Sequence, residues 1–221
     1  YLKEVMNYKP DAFITSDPAV INAILEINPN AEIHISTQQS TTNSKASLFW
    51  KRNGCKRIIL ARELSYEEIK LMQQNLNGAI DIEYFIHGAV CIGYSGRCML
   101  SNNFCLRDAN IGGCAQSCRW VYSLYDDKGE YSNAFSMSAK DMNQLSNLEK
   151  LIDLSIKSFK IEGRMKTEHY CATVTKTYRE AIDEYCELGK MPNKEKYLKE
   201  LDKVANREVD VAWFFGTPTY K

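Results

Sequence analysis

The sequence lacks several features that would place it in a common class of protein. It contains no run of about 18 apolar residues, so no transmembrane helix is expected, and no charged-then-apolar leader is visible. Lys plus Arg and Asp plus Glu number 28 each, so composition gives no argument for nucleic-acid binding, although a local basic patch is compatible with a neutral total. No GxSxG elbow, HExxH helix or glycine-rich phosphate loop follows a strand. These absences argue against a serine hydrolase, a zinc protease and a Rossmann domain.

What the sequence does contain is a regular alternation of strand and helix patterns. The chain has 221 residues, of which 44% are hydrophobic, so it can bury a core. Apolar runs predict strands over 11–17, 31–37, 56–62, 80–88, 158–163 and 209–215. Helical spacing and capping residues predict helices over 18–27, 43–52, 65–78, 140–153, 167–188 and 194–204, and 121–125 with 134–137 predicts a hairpin. Strand followed by helix at roughly twenty-residue spacing predicts an α/β fold with a parallel sheet.

The number of these units predicts part of a TIM-type (β/α) barrel. Five βα units cannot close a barrel of eight, so three further units are expected upstream of Tyr1. We therefore expect a barrel domain over 1–217, with a cysteine-rich insert over 89–120 that follows one strand. Residues 218–221 would begin a further C-terminal region.

Polar residues at the predicted strand ends mark the expected mouth of the barrel, where such folds place their chemistry. The candidate catalytic residues are His87, Glu162 and Arg164, and Gln38, Arg62 and Glu63 are candidate substrate contacts. Simpler roles stand beside these. Arg62 with Glu63, or Glu162 with Arg164, could form ordinary ion pairs, and His87 could be a core histidine.

The cysteines give the strongest signal in the sequence. Five of the eight fall within 28 residues, and four of them follow the pattern Cys91-x6-Cys98-x15-Cys114-x3-Cys118, with Cys105 between. This spacing differs from the paired CxxC of a zinc ribbon, and thiols alone at wide, irregular intervals favour an iron–sulfur cluster. Zinc, disulfides and unpaired buried thiols stay open as alternatives. Cys171, at a helix start, could reach the same mouth or could be a small buried hydrophobe.

Several long segments resemble peptidase family U32, the collagenase-like peptidases. They are EYFIHGAVC, GYSGRCMLSN, RDANIGGCAQSCRW and SFKIEGRMK, and the resemblance extends over nearly the whole chain. Within the family, RDANIGGCAQSCRW, FSMSAKDM and WFFGTP look most similar to the branch that hydroxylates uridine in tRNA.

The resemblance implies a barrel-like catalytic domain and a choice between two activities. Some members of the family are peptidases that degrade collagen. Others are iron–sulfur proteins that hydroxylate RNA bases or a quinone precursor without oxygen, and the tRNA branch uses prephenate as hydroxyl source. A 4Fe–4S cluster would be held by Cys91, Cys98 and Cys114. Asn143 stands where several members have a cysteine, so the fourth ligand is Cys118 or Cys171, or one iron stays open.

The preferred hypothesis is a cytoplasmic enzyme that forms 5-hydroxyuridine in tRNA. Arg107, Arg119 and Arg164 would bind carboxylates or phosphates, and Tyr94 or Trp120 would stack on an unstacked base if they do not simply pack around the cluster. The alternatives are a peptidase acting on polypeptide and a binding module in which metal only folds the insert. No contact with a membrane is expected. The sequence leaves the oligomeric state open.

Overall fold

The protein is an α/β structure whose helices and strands alternate along most of the chain. The computed structural model describes residues 1–135, 137–204, 206 and 208–215, and of residues 130–135 it describes the backbone alone. The strands are β1 Phe13–Thr15, β2 Ile33–Ile35, β3 Arg57–Ile59, β4 Asp81–Ala89, β5 Tyr122–Asp126, β6 Gly129–Phe135, β7 Asp141–Asn143, β8 Ser158–Ile161 and β9 Val209–Asp210. The helices are α1 Leu2–Asn7, α2 Pro18–Ile27, α3 Ser44–Arg52, α4 Tyr66–Leu76, α5 Leu100–Cys105, α6 Leu148–Asp153, α7 Glu168–Leu188 and α8 Lys194–Asp202.

Seven of these strands form one mostly parallel sheet. The strands β1, β2, β3 and β4 are parallel neighbours in that order, and β8 also pairs with β4 in parallel. The strand β7 runs antiparallel to β4, and β9 is parallel to β7. The predicted α/β class is thus confirmed, and the predicted parallel arrangement holds for five strands. The strand β7 departs from that arrangement because it runs antiparallel to β4. Among the described residues no pairing joins β1 to β8 or β9, so closure of the sheet is not observed.

The helices α2, α3, α4 and α7 begin at residues whose side chains cap the first turn. The Asp17 carboxylate accepts the N–H of Ala19, and Pro18 occupies the first position of α2. Ser65 and Glu68 form the predicted capping box at the start of α4. These local contacts fix the helix starts, while burial of the apolar faces of α2, α3, α4, α6, α7 and α8 in the core supplies most of the stability.

Two predicted elements differ from the structure. The helix predicted over 140–153 is wrong in its first half, because residues 141–143 form β7 along the end of β4, and Met142 packs with Ile59 and Phe85. The last strand ends at Asp210 instead of Phe215. The β5–β6 hairpin is confirmed, although Ser136 within the predicted second strand lies outside the described residues. The prediction for 218–221 also lies outside them.

The strand β4 organises the end of the sheet from which the cysteine-rich insert leaves. Its residues from Glu83 pair with β8, and His87 to Ala89 pair with β7, with a register shift between Phe85 and His87. Gly88 has φ +109°, and a Cβ there would lie 2.4 Å from the carbonyl oxygen of Glu162. Only glycine allows the two strand ends to approach so closely. Within the described residues, no helix has both the length and the apolar character needed to cross a bilayer.

Candidate active site

A cavity of about 550 Å³ lies where the parallel strands end, between the sheet and the insert. This is the position at which parallel α/β sheets place ligands, and the volume suits a small molecule. Nine of the twelve candidate residues line it: Gln38, Arg62, Cys91, Cys98, Cys114, Cys118, Arg119, Glu162 and Arg164. Three do not, namely Glu63, His87 and Arg107. The functional roles of all twelve stay predictions.

Three of the four cavity thiols are held by the backbone in the same way. The N–H of Gly93 donates to the Cys91 sulfur at 3.3 Å, that of Leu100 to Cys98 at 3.4 Å and that of Gln116 to Cys114 at 3.3 Å. In each case the donor is two residues beyond the cysteine. Such N–H···S contacts stabilise a thiolate and are a known means of tuning metal–sulfur centres.

The thiols are free and close enough to influence one another. None of the eight cysteines forms a disulfide. Burial raises the pKa of Cys91, and the thiols of Cys98 and Cys118 raise that pKa further. Burial also raises the pKa of Cys118, which Arg119 opposes. A positive charge at the centre of the group would lower the pKa values of these thiols and so favour their thiolate forms.

The cavity thiols are not arranged around a single ion. In the described residues no group of three or more His, Cys, Asp or Glu side chains converges tightly enough to hold one metal ion. Four thiolates on one zinc would have to lie about 3.8 Å apart, from Zn–S bonds of about 2.3 Å. A cluster spaces its thiolates more widely. Four free thiols line one cavity, three of them with amide donors, and these are the residues that the iron–sulfur prediction names as ligands.

Cys171, the other candidate for a fourth ligand, and Asn143, which stands where several family members have a cysteine, both lie off the cavity. Cys171, at the start of α7, has its sulfur 3.7 Å from the carbonyl oxygen of Gly163. Asn143 is buried, and its side-chain oxygen accepts the N–H of Leu145 at 3.0 Å. Neither residue belongs to the cavity lining, whereas Cys118 does.

Glu63 holds the insert instead of facing the cavity. Its carboxylate accepts the N–H of Ser95 at 2.7 Å and the Ser95 hydroxyl at 3.0 Å. Ser95 is fully buried and lies midway between Cys91 and Cys98. Gln38 makes a longer contact with the same insert, through the carbonyl oxygen of Asn110 at 3.4 Å. The end of β3 therefore fixes the loop that carries the first two thiols.

Arg62 is the most unusual charged group in the cavity wall. Its side chain is buried, with 8% of the residue exposed, and its guanidinium carbon lies 4.0 Å from the centre of the Phe85 ring. Its Nε has no hydrogen-bond partner among the described residues. Burial lowers the pKa of Arg62, which Cys91 and Glu162 oppose. A buried cation with an N–H donor that no protein group accepts can bind an anion through a charge-assisted hydrogen bond.

Lys160 and Lys166 also line the cavity, and the sequence reading missed both. With Arg62, Arg119 and Arg164 they make five cations in the wall, against the single carboxylate of Glu162. The alternation in SFKIEGRMK gave a usable signal for Lys160, because positions 160 and 162 share one face of a strand. The described lining therefore holds more cationic than anionic side chains, and two of the cations, Lys160 and Lys166, are paired with Glu83 and Asp141.

His87 is turned away from the cavity, contrary to the expectation that it would project toward the mouth. Only 2% of it is exposed, its Nδ1 lies 3.3 Å from the Tyr178 hydroxyl, and its ring packs against Tyr170 and Tyr178 of α7. The register shift after Phe85 breaks the strand alternation that would have pointed it inward. The Tyr178 hydroxyl in turn lies 3.1 Å from Asn143 Oδ1, so this group links β4, β7 and α7.

Stability should fall as the pH drops because of His87. Burial, together with the charge of Lys166, lowers the pKa of His87 to about 4. As the pH falls, His87 is therefore protonated near pH 6.5 in the unfolded chain but only near pH 4 in the folded protein. Between these values the free energy of unfolding should decline by up to about 1.4 kcal/mol per pH unit. Urea unfolding of wild type and His87→Gln at several pH values checks this, with His169→Gln as control. Equal slopes in wild type and His87→Gln would contradict it.

The remaining candidates lie on the surface of the insert. Arg107 is exposed, and Tyr94 and Trp120 are about half exposed, at 55% and 43%. Trp120 and Tyr122 flank Phe104 at ring distances of 6.2 and 5.9 Å. The Tyr122 hydroxyl donates to the carbonyl oxygen of Ser117 at 2.6 Å, next to Cys118. The aromatic group therefore lies directly behind the thiols, with its rings partly open to solvent.

Comparison with known proteins agrees with the resemblance seen in the sequence. The profile of peptidase family U32 matches residues 1–221. Among curated proteins, the chain is 46% identical over 230 residues to tRNA hydroxylation protein P1 of Bacillus subtilis, covering 100% of this chain and 54% of that protein. It is 40% identical over 175 residues to a 23S rRNA 5-hydroxycytidine synthase of Escherichia coli, covering 78% and 26%.

A collagenase of Porphyromonas gingivalis is also similar, at 37% identity over 188 residues, covering 79% of this chain and 45% of that protein. The chain spans about half the length of the tRNA hydroxylation protein, at 54%. No solved structure matches it.

Proposed function

The chain belongs to peptidase family U32, and from this premise we propose that it is the catalytic part of an RNA-modifying enzyme that forms 5-hydroxyuridine in tRNA. The observation that carries the proposal is the cavity in which four free thiols meet five cationic side chains. A peptidase needs no such group of thiols, whereas a redox reaction on an anionic substrate uses both features. The relatives named as RNA hydroxylation proteins support this choice.

Cys91, Cys98, Cys114 and Cys118 would hold a 4Fe–4S cluster, and Cys118 would be the fourth ligand. Such a cluster supplies electron transfer at low potential. The N–H groups of Gly93, Leu100 and Gln116 would then donate to ligand sulfurs. Glu63 would keep the loop between the first two ligands in place through Ser95.

Prephenate is the proposed hydroxyl donor, and the cavity cations would bind it. Replacing C5–H of uracil by C5–OH oxidises the base by two electrons. The exchange balances if the donor's C–OH becomes C–H, because the donor then gains the two electrons and the proton that the base loses. Arg62, Arg119 and Arg164 would bind carboxylates. Glu162, held by the N–H of Arg164 at 3.0 Å, would carry the proton.

The target base would have to leave its stack to reach the cavity, since a base in a helix cannot present C5 to a buried site. Tyr94 and Trp120 are exposed aromatic rings beside the thiols and would support such a base. We propose that the described sheet is one arc of a TIM-type barrel, which would complete the cavity wall. A tRNA substrate implies action in the cytoplasm.

A peptidase is the second candidate, favoured by the similarity to the collagenase of Porphyromonas gingivalis. One experiment separates the two. Anaerobically purified protein is assayed for iron, sulfide and gelatin cleavage, and tRNA from a deletion strain is analysed for 5-hydroxyuridine with and without complementation. Cluster-bound iron and loss of the modified base on deletion are expected. Intact 5-hydroxyuridine in the deletion strain, or gelatin cleavage by cluster-free protein, would overturn the proposal.

A further inference from the structure

We propose that the exposed face of α3 is a docking surface for the phosphate backbone of RNA, beside the entrance of the cavity. The inference rests on the proposed function in taking tRNA as the RNA. It goes beyond that function by locating the contact with the backbone. This contact lies outside the cavity and uses none of the residues to which the proposed reaction assigns a role.

The segment 33–62 is the longest run of the sequence that lacks Asp and Glu. It contains six Lys and Arg residues, in a chain whose net charge is zero. Two of them serve the interior, since Arg57 pairs with Asp81 and Glu83 and Arg62 is buried in the cavity wall. The other four are exposed, namely Lys45, Lys51, Arg52 and Lys56. The neutral total therefore conceals a locally basic surface.

These four cations lack the acidic partners that other surface cations have. In the ranges that the structure describes, no ion pair joins any of them to a carboxylate. On α7, by contrast, Lys176 is paired with Glu180 and Arg179 with Asp183. Such pairs cancel most of each other's field. The surface of α3 instead presents positive charge to an anion from solvent.

The exposed residues of α3 form a stripe along the helix. Lys45, Phe49 and Arg52 stand at positions i, i+4 and i+7 and share one face, which is exposed, whereas Ser47 and Trp50 are buried. Seven residues of helix rise about 10 Å, a length over which a nucleic-acid duplex presents several phosphates. Arg contacts a phosphate with two donors and Lys matches its charge, so the stripe suits an RNA backbone.

The position of Lys45 argues against a purely structural role for this stripe. Lys51 and Arg52 lie in the last turn of α3, where the helix dipole favours cations. Lys45 lies in the first turn, where the dipole disfavours a cation, and no acidic residue accompanies it there. A helix that binds a membrane would expose a broad apolar face, whereas the large apolar side chain that α3 exposes is Phe49 alone. An anion outside the chain accounts for the whole stripe.

The start of α3 lies at the entrance of the cavity. The helix follows the single turn Thr37–Gln39, which packs against the turn Tyr94–Gly96 of the insert. The Thr37 hydroxyl donates to the carbonyl oxygen of Leu60 at 3.0 Å and so holds this connection to the end of β3. Tyr94 is the exposed ring proposed above to support an unstacked base. RNA with a base on Tyr94 can therefore continue with its backbone along α3.

The test is binding of labelled total tRNA to the anaerobically purified holoprotein, measured by fluorescence anisotropy at several salt concentrations. Lys45→Gln/Arg52→Gln should weaken binding by about 10- to 100-fold at about 0.1 M salt. It should also lower the slope of log Kd against log salt by about 1.5 to 2, because two phosphate contacts are lost. Iron content and the urea midpoint should stay at the wild-type values.

Lys176→Gln/Arg179→Gln is the matched control. It also removes one Lys and one Arg from an exposed helix and changes the net charge by the same amount, but on α7. It should leave the affinity and the salt slope unchanged. If loss of Arg52 lowers the urea midpoint, Lys45→Gln/Lys56→Gln is measured in its place, because it keeps the cations of the last turn of α3.

Two results would overturn the inference. Equal weakening by the α3 and α7 variants would mean that tRNA responds only to net charge. Unchanged tRNA binding by both α3 variants would mean that the face serves another partner, which binding to phosphatidylglycerol vesicles or polyglutamate would then identify. Modification of uridine is not measured here. Protein that binds tRNA through α3 but forms no 5-hydroxyuridine would satisfy the inference and contradict the proposed function, and modification with α3 dispensable for binding would do the reverse.

Discussion

Replacing Cys118 with serine is expected to abolish the iron–sulfur cluster. Cys118 lines the cavity with Cys91, Cys98 and Cys114, and no other free cysteine does so among the described residues. Loss of one thiolate from four removes both a ligand and the fixed geometry of the site. Iron and sulfide bound to anaerobically purified protein should fall to about a tenth of the wild-type level or less. The visible absorption and the 5-hydroxyuridine of tRNA in a complemented deletion strain should disappear with them.

Cys171→Ser and Cys105→Ser are the controls for this prediction. Both residues are half-buried cysteines outside the cavity lining, so their replacement should leave the iron content close to that of wild type. If Cys171→Ser loses its iron while Cys118→Ser keeps it, Cys171 is the fourth ligand. If both keep a full spectrum, three cysteines suffice, and the site has an open iron.

Replacing Arg62 with methionine should remove activity without weakening the fold. Methionine can keep the contact with Phe85, and the change eliminates a buried charge whose Nε has no partner in the described part of the chain. Removing such a group is neutral or stabilises by about 1 kcal/mol. Formation of 5-hydroxyuridine should nevertheless fall by about 100-fold, because a charged hydrogen bond to the ligand is lost in a buried site. Modified tRNA and the urea midpoint are measured on the same variant.

Arg57→Met provides a half-buried arginine as the control. Arg57 also has an Nε without a partner among the residues that the structure describes, but it lies 3.7 Å from Glu83 and 3.6 Å from Asp81 and is not part of the cavity lining. Its replacement leaves carboxylates poorly compensated, so stability should fall while activity declines only with the amount of folded protein. An Arg62 variant that is as active as wild type, or that loses stability and activity together, would remove Arg62 from the site.

The features that the sequence predicted are those encoded over short stretches. The cap at Asp17, the capping box at Ser65 and the apolar runs of β1 to β4 each depend on neighbours within a few residues. The clustering of the cavity thiols was equally local, since all four fall between positions 91 and 118. Local patterns were therefore sufficient to predict the strand–helix units of the parallel sheet and the group of cavity thiols.

The features that the sequence missed depend on pairing between distant segments. Residues 141–143 have helix-compatible composition, and only the free end of β4 makes them a strand. The orientation of His87 depends on a register shift against β8, which no pattern in β4 reveals. Glu63 looked like a free strand-end carboxylate because its partner, Ser95, is 32 residues away. Lys166 enters the cavity wall only because the ends of distant strands come together.

The antiparallel pair formed by Ala89 and Asp141 makes the thiol-bearing excursion a detachable module. Facing residues of such strands have Cα atoms only about 4.5–5.5 Å apart, so residues 90–140 leave the sheet and return to it at one place. Loop-closure entropy grows only slowly with length, and a short turn across this gap would satisfy the scaffold as well as the full excursion does. The sheet could thus carry other segments in its place, each presented to the four cavity cations that lie outside residues 90–140, namely Arg62, Lys160, Arg164 and Lys166.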